Sequence, residues 1–580
     1  MGRENSRMVV RKDGKVTILA TSYVLSNEWG AKGEKMSRFL SVVQWAGVIL
    51  LIGTLCVSTA GAADEVTVAS GKLQGTMNED HTVRMFKGIP FAAAPVGPLR
   101  WKAPQPAPSW SGVRQADKFG PACLQTDVFG DIYFRDAQPS EDCLNLDIWI
   151  PAKAESAKFP VFVWFYGGGF VAGSASEVRY DGENLAKKRV IVVEPNYRLG
   201  VFGFFSHPEL SKESGHNSSG NYGLLDQVAA LQWVVKNIAA FGGDPHNITI
   251  GGESAGSLSV SALMASPLSK NLFQKAIGES GAFFPSGPSA GMRLKPVGDT
   301  EQAGVKFAES VGAKSLAEMR AKPGDELLQA AAKQNRGFRF GPNLDGYFLT
   351  SDALSIYTKG EQSQIPLLAG WNADEGKLNI LFAPQKPTAK SFAEQAQARF
   401  GDQAPEFLKL YPASTDQEAM QSAEALAGDD FIAFSTWKWV DMQRKTGNSP
   451  VYQYRFEQVP AVKPGAMIGS IPASEAGSRH AGEIQYVFET LKSEQGVPWT
   501  EDDFKVSEAM ASYWVNFVKT GNPNGNGLPN WPKSDSKDGY QVMHLSGKNI
   551  QAGPDTRRGR YEFLDAHAAK QSGKQSAARQ

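Results

Sequence analysis

A Gly-x-Ser-x-Gly pentad at residues 252–256 is the part of this sequence best suited to nucleophilic chemistry. The β-branched apolar run at residues 248–250 leads directly into it, and a helix-permissive segment follows. A nucleophile elbow requires this order of strand, sharp turn and helix, because the turn lifts one hydroxyl clear of the sheet. Glycines flank the serine since a Cβ atom would collide across so tight a turn. We therefore predict that Ser254 is a nucleophile.

A second Gly-x-Ser-x-Gly pentad occupies residues 287–291. The pentad alone is weak evidence, because a chain rich in glycine and serine can contain it by chance. Pro285 and Pro288 lie just ahead of it or inside it, and no strand-like run precedes it. We interpret this second pentad as a loop.

A serine hydroxyl needs a base within hydrogen-bond reach, and that base needs an orienting acid. Enzymes with such an elbow carry their residues in the order serine, acid, histidine, which excludes the four histidines that precede Ser254. His544 lies in an alternating run typical of a strand, and His567 lies at the edge of a polar tail. His480 lies in a loop of small residues, 477–482, as expected for a catalytic group above a sheet. The sequence therefore predicts His480 as the base.

Two carboxylates could orient this histidine. Residues 365–370 form an apolar run typical of a buried strand, and residues 371–376 form the loop that leaves it. Asp374 and Glu375 both lie in that loop. Position along the chain does not separate them.

Three consecutive glycines at residues 167–169 follow the strand-like run 159–165. Consecutive glycines let backbone N–H groups approach a substrate oxygen closely, as an oxyanion hole requires. A phosphate-binding loop is the alternative, but neither Gly-Lys-Ser/Thr nor Gly-x-Gly-x-x-Gly follows. We predict that this loop stabilises a developing oxyanion.

Strand-like runs at residues 159–165 and 190–193 alternate with helical patterns such as residues 224–234. Continuous apolar strands that alternate with helices predict an α/β fold, in which helices cover both faces of a mostly parallel sheet. Two regions rich in alanine and glutamine, 301–334 and 388–442, are predicted to be helical and to cap the site.

The long apolar run at residues 39–59 follows basic residues and ends in small ones. This pattern predicts a secretory signal over residues 36–62, cleaved near Ala62 or Ala63, and hence a secreted or periplasmic protein. An uncleaved membrane anchor is the alternative, because the run is nearly long enough to span a bilayer. Residues 1–35 precede the start expected for such a signal and are treated as an N-terminal extension.

The mature domain is predicted over residues 63–567, followed by a flexible polar tail at 568–580. Removal of the signal takes Cys56 away and leaves the pair Cys123 and Cys143. In an exported chain an even pair that closes a short loop predicts a disulfide, and two separate buried thiols are the alternative.

The charges balance at 60 basic and 60 acidic residues, without a basic stripe. This balance does not favour a nucleic-acid partner. We expect a small-molecule partner, no metal and no other cofactor, and no stable membrane insertion once the signal is removed. The oligomeric state stays open.

Many further segments, in the same order along the chain, resemble motifs of the type-B carboxylesterase and cholinesterase family. The matching segments are residues 86–91, 95–101, 140–146, 196–204, 220–227, 241–245, 519–524 and 531–532, in addition to the pentad and the glycine triplet.

This resemblance implies an α/β-hydrolase fold with a large central sheet and helical cap insertions. The family uses the glutamate of its Asp-Glu-Gly motif, which implies that Glu375 rather than Asp374 is the acid. Its oxyanion donors correspond to the N–H groups of Gly168, Gly169 and Ala255. It further implies a disulfide between Cys123 and Cys143, and a structural ion pair between Arg198 and Asp226.

The resemblance implies a serine carboxylic-ester hydrolase that works through an acyl-enzyme. Phe283 and Phe284 follow the segment that leads towards the acyl pocket in the family, and would suit an apolar or aromatic part of the ester. The loop at residues 124–142 contains no tryptophan, so a choline-ester substrate is not expected. The alternatives are an acyltransferase or amidase with the same residues, or an inactive binding or adhesion protein.

Overall fold

The computed structural model describes residues 65–130, 132–136, 138–152, 158–284, 293–333, 340–536 and 539–577. The predicted signal peptide, the N-terminal extension and the second pentad lie outside the described residues. The description below concerns the unit Ala63–Gln580.

Nineteen strands lie in the described ranges. They are β1 (Glu65–Val68), β2 (Gly71–Gln74), β3 (Thr76–Met77), β4 (Val83–Pro90), β5 (Val113–Gln115), β6 (Asn145–Pro151), β7 (Phe159–Phe165), β8 (Ile191–Pro195), β9 (Gly243–Glu253), β10 (Lys275–Glu279), β11 (Lys295–Pro296), β12 (Asn343–Leu344), β13 (Leu367–Asn372), β14 (Val451–Phe456), β15 (Met467–Ile468), β16 (Ile471–Pro472), β17 (Asp535–Ser536), β18 (Gly539–Ser546) and β19 (Asn549–Pro554).

Twelve of these strands form one sheet in the order β17-β18-β14-β13-β10-β9-β7-β8-β6-β4-β3, and β19 also pairs with β18. The strands from β8 to β18 in this order run parallel to their neighbours. Antiparallel pairs flank them on both sides. The sheet is therefore the large, mixed sheet of an α/β fold, with a parallel centre.

The central strands are apolar and buried because helices pack on them. Every residue of β8, β10, β13 and β14 is buried. Continuous burial along a strand is typical of a parallel sheet covered on both faces. The helices Ala255–Ala265 and Glu501–Thr520 both pack on β7 and β9.

The helices cover most of the segments predicted to be helical. Their bounds are Glu183–Lys187, Gly200–Phe204, Pro208–Glu213, Tyr222–Asn237, Ala255–Ala265, Val297–Ser310, Leu316–Ala321, Gly324–Lys333, Ala353–Thr358, Lys377–Leu381, Ala389–Phe400, Ala404–Leu410, Asp416–Gly428, Phe434–Thr446, Ile484–Val487, Glu501–Thr520 and Arg558–Ala577. A π-helical segment, Asp429–Ala433, joins two of them. None of the helices in the described part of the chain is both long enough and apolar enough to cross a membrane.

The last helix extends past residue 568, where the flexible tail is predicted to begin. It runs without a break over Arg558–Ala577 and so includes most of the predicted tail. Alanine, lysine and glutamine, which dominate this segment, are strong helix formers, and that propensity accounts for the longer helix. Flexibility at the end of the chain stays a prediction.

Candidate active site

Ser254 lies in the sharp turn between β9 and the helix Ala255–Ala265. Its φ of +54° is unusual for a residue with a side chain and marks a strained turn. A Cβ atom on Gly256 would collide with the carbonyl oxygen of Phe165, and one on Gly252 would lie 2.6 Å from the same oxygen. The Ser254 N–H donates to the carbonyl of Glu279, at 2.8 Å. The strands on both sides therefore hold the predicted elbow.

The structure brings the predicted base to the predicted nucleophile. Nε2 of His480 lies 2.9 Å from Oγ of Ser254. The end of β13 holds the loop that carries His480, because Asn372 donates its side-chain N–H to the carbonyl of Arg479, at 2.7 Å. The Ser478 N–H donates to the carboxylate of Asp374, at 2.8 Å.

Glu375, not Asp374, contacts the histidine. Its Oε2 lies 2.7 Å from Nδ1 of His480. Its Oε1 accepts hydrogen bonds from the Asn372 N–H, at 2.9 Å, and from the Ser280 hydroxyl, at 2.6 Å. These bonds fix the carboxylate where it can orient the imidazole. Asp374 instead anchors the histidine loop, which separates the two alternatives that the sequence left open.

Three further carboxyl groups, which sequence reasoning missed, are buried close to these residues: those of Glu253, Glu279 and Glu483. Oε1 of Glu253 lies 3.3 Å from Nε2 of His480. Glu483 accepts a hydrogen bond from the side chain of Asn372 at 2.5 Å, and Glu279 accepts one from Trp514 at 2.7 Å. The available signal was their position: Glu253 precedes the nucleophile and Glu483 follows the base by three residues.

Burial changes the protonation of these groups because it disfavours a charged carboxylate. It raises the pKa of Glu253 to about 8 and that of Glu483 to about 7. It also raises the pKa of Glu279 well above its ordinary value. The site can therefore hold several carboxyl groups side by side, because a proton kept on Glu279 removes one of the negative charges.

The pKa of His480 responds to the same surroundings. Burial of the ring lowers it, but the negative charges of Glu253 and Glu375, together with the hydrogen bond to Glu375, outweigh that effect. The pKa of His480 is therefore raised above its ordinary value of about 6.5. Phe431, from the π-helical segment, packs edge-to-face on the imidazole with ring centroids 5.0 Å apart. π-Helical segments occur frequently at functional sites.

The glycine loop follows β7 directly. Gly168 and Gly169 have φ values of +100° and +63°, and a Cβ atom on Gly168 would collide with the carbonyl oxygen of Ala172. Among the described residues, the N–H groups of Gly168, Gly169 and Ala255 donate to no protein acceptor. They are therefore available as donors, as an oxyanion hole requires.

Aromatic side chains lie next to this loop. Phe170 stacks on Phe283 with centroids 6.2 Å apart, and packs edge-to-face on Phe204. Phe284 instead packs on Tyr357 in the core. Of the two phenylalanines singled out in the sequence, only Phe283 thus contacts Phe170, the residue that follows the glycine triplet.

The remaining predicted features are also placed. A disulfide links Cys123 and Cys143. Arg198 and Asp226 form a buried bidentate ion pair, with both N–O distances 2.8 Å. His544 lies in β18 and contacts Glu457 at 3.1 Å, and His567 contacts Gln403 at 3.0 Å. Neither histidine bonds Ser254.

A strained serine elbow between a strand and a helix, in a mixed sheet with a parallel centre, defines an α/β-hydrolase fold. The chain belongs to the carboxylesterase family, whose profile matches residues 62–564. It is a carboxylesterase by that membership and by the names of its relatives, which are esterases and carboxylesterases.

Three known proteins illustrate the similarity. The fumonisin B1 esterase of Sphingopyxis macrogoltabida is 34% identical over 528 residues, which cover 87% of this chain and 90% of that protein. The structure of a PNB esterase superposes with a TM-score of 0.72 and 33% identity, over 86% of this chain and 99% of that one. The Geobacillus stearothermophilus carboxylesterase EST55 also superposes with a TM-score of 0.72, at 32% identity and with the same coverage of both chains.

Proposed function

We propose that this chain hydrolyses carboxylic esters through a Ser254-His480-Glu375 triad and an acyl-enzyme intermediate. The observation that carries the proposal is the placement of the imidazole between the other two groups. Nε2 lies 2.9 Å from the Ser254 hydroxyl and Nδ1 lies 2.7 Å from the Glu375 carboxylate. Both distances are hydrogen-bond lengths, as proton transfer from the serine requires.

In the proposed mechanism, Ser254 Oγ attacks the ester carbonyl carbon while Nε2 of His480 takes the hydroxyl proton. Glu375 keeps the proton of the imidazole on Nδ1 and stabilises the imidazolium. The N–H groups of Gly168, Gly169 and Ala255 stabilise the tetrahedral oxyanion. His480 then protonates the leaving alcohol, and a water molecule repeats the sequence on the acyl-enzyme. No step in this scheme requires a cofactor.

We further propose an apolar or aromatic ester part as the preferred substrate. The stacked rings of Phe170 and Phe283 support this, since they offer an apolar surface beside the proposed oxyanion donors. A panel of esters varied separately in the acyl and the alcohol part tests it, and fumonisin B1 belongs in that panel because of the relative named for it. Equal kcat/KM for acetyl, hexanoyl and phenylacetyl esters would contradict the proposal.

Export is proposed on two grounds: the apolar run at residues 39–59, and the cysteine pair, since disulfides persist in oxidising compartments. N-terminal sequencing of protein recovered from the periplasm or the medium tests it. A mature N-terminus near Ala62 or Ala63 is expected. Full-length protein retained in the cytoplasm would contradict it.

The direct test of the mechanism is Ser254→Ala, with Ser257→Ala as the matched control on the same helix. Ser257 donates its hydroxyl to the carbonyl of Gly281, at 2.6 Å, and does not contact His480. We expect Ser254→Ala to lower turnover of an aryl ester about 10⁴-fold or more, with an unchanged melting temperature. The control should stay within tenfold of the parent. Full activity in Ser254→Ala would refute the assignment.

A further inference from the structure

The glycine loop, residues 167–173, is held at Gly173 by the side chain of Gln125. Gln125 lies in the loop between the disulfide-linked cysteines, residues 124–142, which we call the disulfide loop. The Gly173 N–H donates to Oε1 of Gln125, at 2.8 Å, and Nε2 of Gln125 donates to the carbonyl of Gly173, also at 2.8 Å. The same Nε2 donates to the carbonyl of Cys123, at 3.0 Å. Both hydrogens and the oxygen of the amide are thus used.

Gly173 touches the start of the glycine loop. A Cβ atom on it would collide with the ring of Tyr166 and lie 2.8 Å from the carbonyl oxygen of Gly167. Between these points the loop is closed by two hydrogen bonds, in which the N–H groups of Val171 and Ala172 donate to the carbonyl of Gly168, at 3.0 and 3.1 Å. Because the loop is short and closed by these bonds, we expect a shift of Gly173 to be passed on to Gly168.

The neutral amide of Gln125 makes both bonds to Gly173, because it carries a donor and an acceptor in one plane. A carboxylate of the same shape has no proton to donate and would place an oxygen against the Gly173 carbonyl. An apolar side chain of similar length would make neither bond. The orientation of the Gln125 amide is fixed, since the Gly173 N–H can only donate.

A second anchor joins the same two loops farther from the glycines. Asp136 accepts hydrogen bonds from the hydroxyls of Ser174, at 2.5 Å, and Ser176, at 2.7 Å. It fixes the neighbouring segment but does not touch Gly173. It is therefore a matched control, because it also joins the two loops but does not contact Gly173.

We propose that Gln125 is a positioning residue for the oxyanion hole. By clamping both backbone groups of Gly173, it holds the N–H groups of Gly168 and Gly169 where the tetrahedral oxyanion forms. This inference rests on the proposed function, because it needs those N–H groups to act on an ester. Gln125 acts through Gly173 and does not itself touch the substrate.

The test uses the full-length protein with Gln125→Glu and Gln125→Met, and with Ser176→Ala as the control. Misplacement of catalytic groups by about 1 Å can lower the rate about 100-fold. We expect the two Gln125 variants to lose about 10- to 100-fold in kcat on an aryl ester, with KM within about threefold. This is the pattern of an interaction made only in the transition state. Ser176→Ala should stay within about threefold in both constants.

A second readout separates positioning from general destabilisation. An aryl trifluoromethyl ketone adds to the serine and forms a tetrahedral oxyanion, so its affinity should fall in parallel with kcat/KM in the Gln125 variants. The affinity of the alcohol product of the aryl ester, which forms no oxyanion, should stay within about threefold of the parent value. If Gln125→Glu does not fold, Gln125→Met decides.

Unchanged kcat and unchanged ketone affinity in a folded Gln125 variant would overturn the inference, even if its melting temperature falls. So would an equal loss of affinity for the ketone and the alcohol. The proposed function fails in a different way, namely when the parent protein hydrolyses no ester or Ser254→Ala retains turnover. The two failures are therefore distinguishable.

Discussion

The two halves of the site are held in different ways. The triad half consists of the residues proposed for the triad, Ser254, His480 and Glu375. Ser254 and Glu375 follow parallel strands of the sheet. In that sheet Glu279 of β10 pairs with Glu253 of β9 on one side and with Gly370 of β13 on the other. The next residues therefore lie level at the carboxyl ends of the strands, and the N–H groups of Ser254 and Ser280 each bond the neighbouring strand at 2.8 Å. The sheet itself sets this geometry.

The oxyanion half, which is the glycine loop with the proposed donors Gly168 and Gly169, is not set by strand pairing. The glycine loop leaves β7 and has no regular structure until the short 3₁₀ turn Val178–Tyr180. Besides its two internal hydrogen bonds, it is held by separate contacts from other parts of the chain: Gln125 bonds Gly173, and the Gly200 N–H donates to the Phe170 carbonyl at 2.7 Å. We therefore expect the geometry set by the sheet to tolerate the loss of one polar side chain better than the geometry set by a few contacts between loops. The substitutions below test this contrast, from the largest expected effect to the smallest.

Glu375→Gln should have the largest effect of the substitutions described below, because an amide cannot hold the imidazole in the required tautomer. Comparable substitutions of a triad acid cost about 10⁴-fold in kcat. Asp374→Asn is the control, since it keeps an oxygen that can accept the Ser478 N–H. We expect a loss of less than about tenfold there. Equal losses in the two variants, measured on an aryl ester, would mean that the acid has been misassigned.

Gln125→Glu should follow, with a loss of about 10- to 100-fold in kcat. The contrast between the two halves predicts that Ser280→Ala, which removes one hydroxyl group from the triad half, costs less. Ser280 donates to Glu375, but Glu375 keeps the N–H of Asn372 and the imidazole as partners. A larger loss of kcat in Ser280→Ala than in Gln125→Glu would mean that the triad half is the more sensitive of the two, which would contradict the account.

Glu253→Gln should change the pH dependence more than the maximal rate. His480 must be neutral to act as a base, so kcat/KM rises as pH passes the pKa of His480 in the free enzyme. The carboxylates of Glu253 and Glu375, when ionised, raise that pKa, and the limb should therefore lie above pH 6.5 in the parent. Removing the carboxylate should move the limb down by about one pH unit. The variant would then be relatively more active at pH 5–6, and a limb that stays in place would contradict this role.

The double variant Cys123→Ser/Cys143→Ser should affect stability rather than rate. A link that closes about twenty residues contributes roughly 3 kcal/mol, mostly by restricting the unfolded chain. The backbone near Gln125 stays paired without it, because Leu124 N–H donates to Ser140 at 3.1 Å and Ser140 N–H donates to Ala122 at 2.9 Å. We expect a lower denaturation midpoint and kcat at 25 °C within about threefold. A rate loss as large as that of Gln125→Glu would place the disulfide itself among the supports of the oxyanion loop.

The residues proposed for the triad could be selected from the sequence because their signals are local. The pentad lies between a strand-like run and a helix, and chain order together with loop character selected His480. Asp374 and Glu375 could not be separated by position, since they are adjacent in one loop and the sequence does not show which way each side chain points. The structure distinguishes them, because the Asp374 carboxylate accepts a hydrogen bond from the Ser478 N–H instead of contacting the imidazole.

The supports of the site could not be predicted in this way. The clamp between Gln125 and Gly173 joins residues 48 positions apart in sequence, and no local pattern marks it. The buried carboxyls were visible only as single acidic residues beside the motifs. Their burial and raised pKa values depend on packing by strands and helices that are distant in sequence.

The most direct test of the central claim is stoichiometric labelling of the parent protein with an aryl fluorophosphonate, read by intact mass and peptide mapping. Only a serine activated by a base reacts at a useful rate, so the result depends on the triad and not on the choice of ester. We predict one adduct per chain, located on Ser254, with labelling lost in His480→Ala although Ser254 is still present. Absence of labelling, an adduct on another serine, or full labelling of His480→Ala would contradict the account.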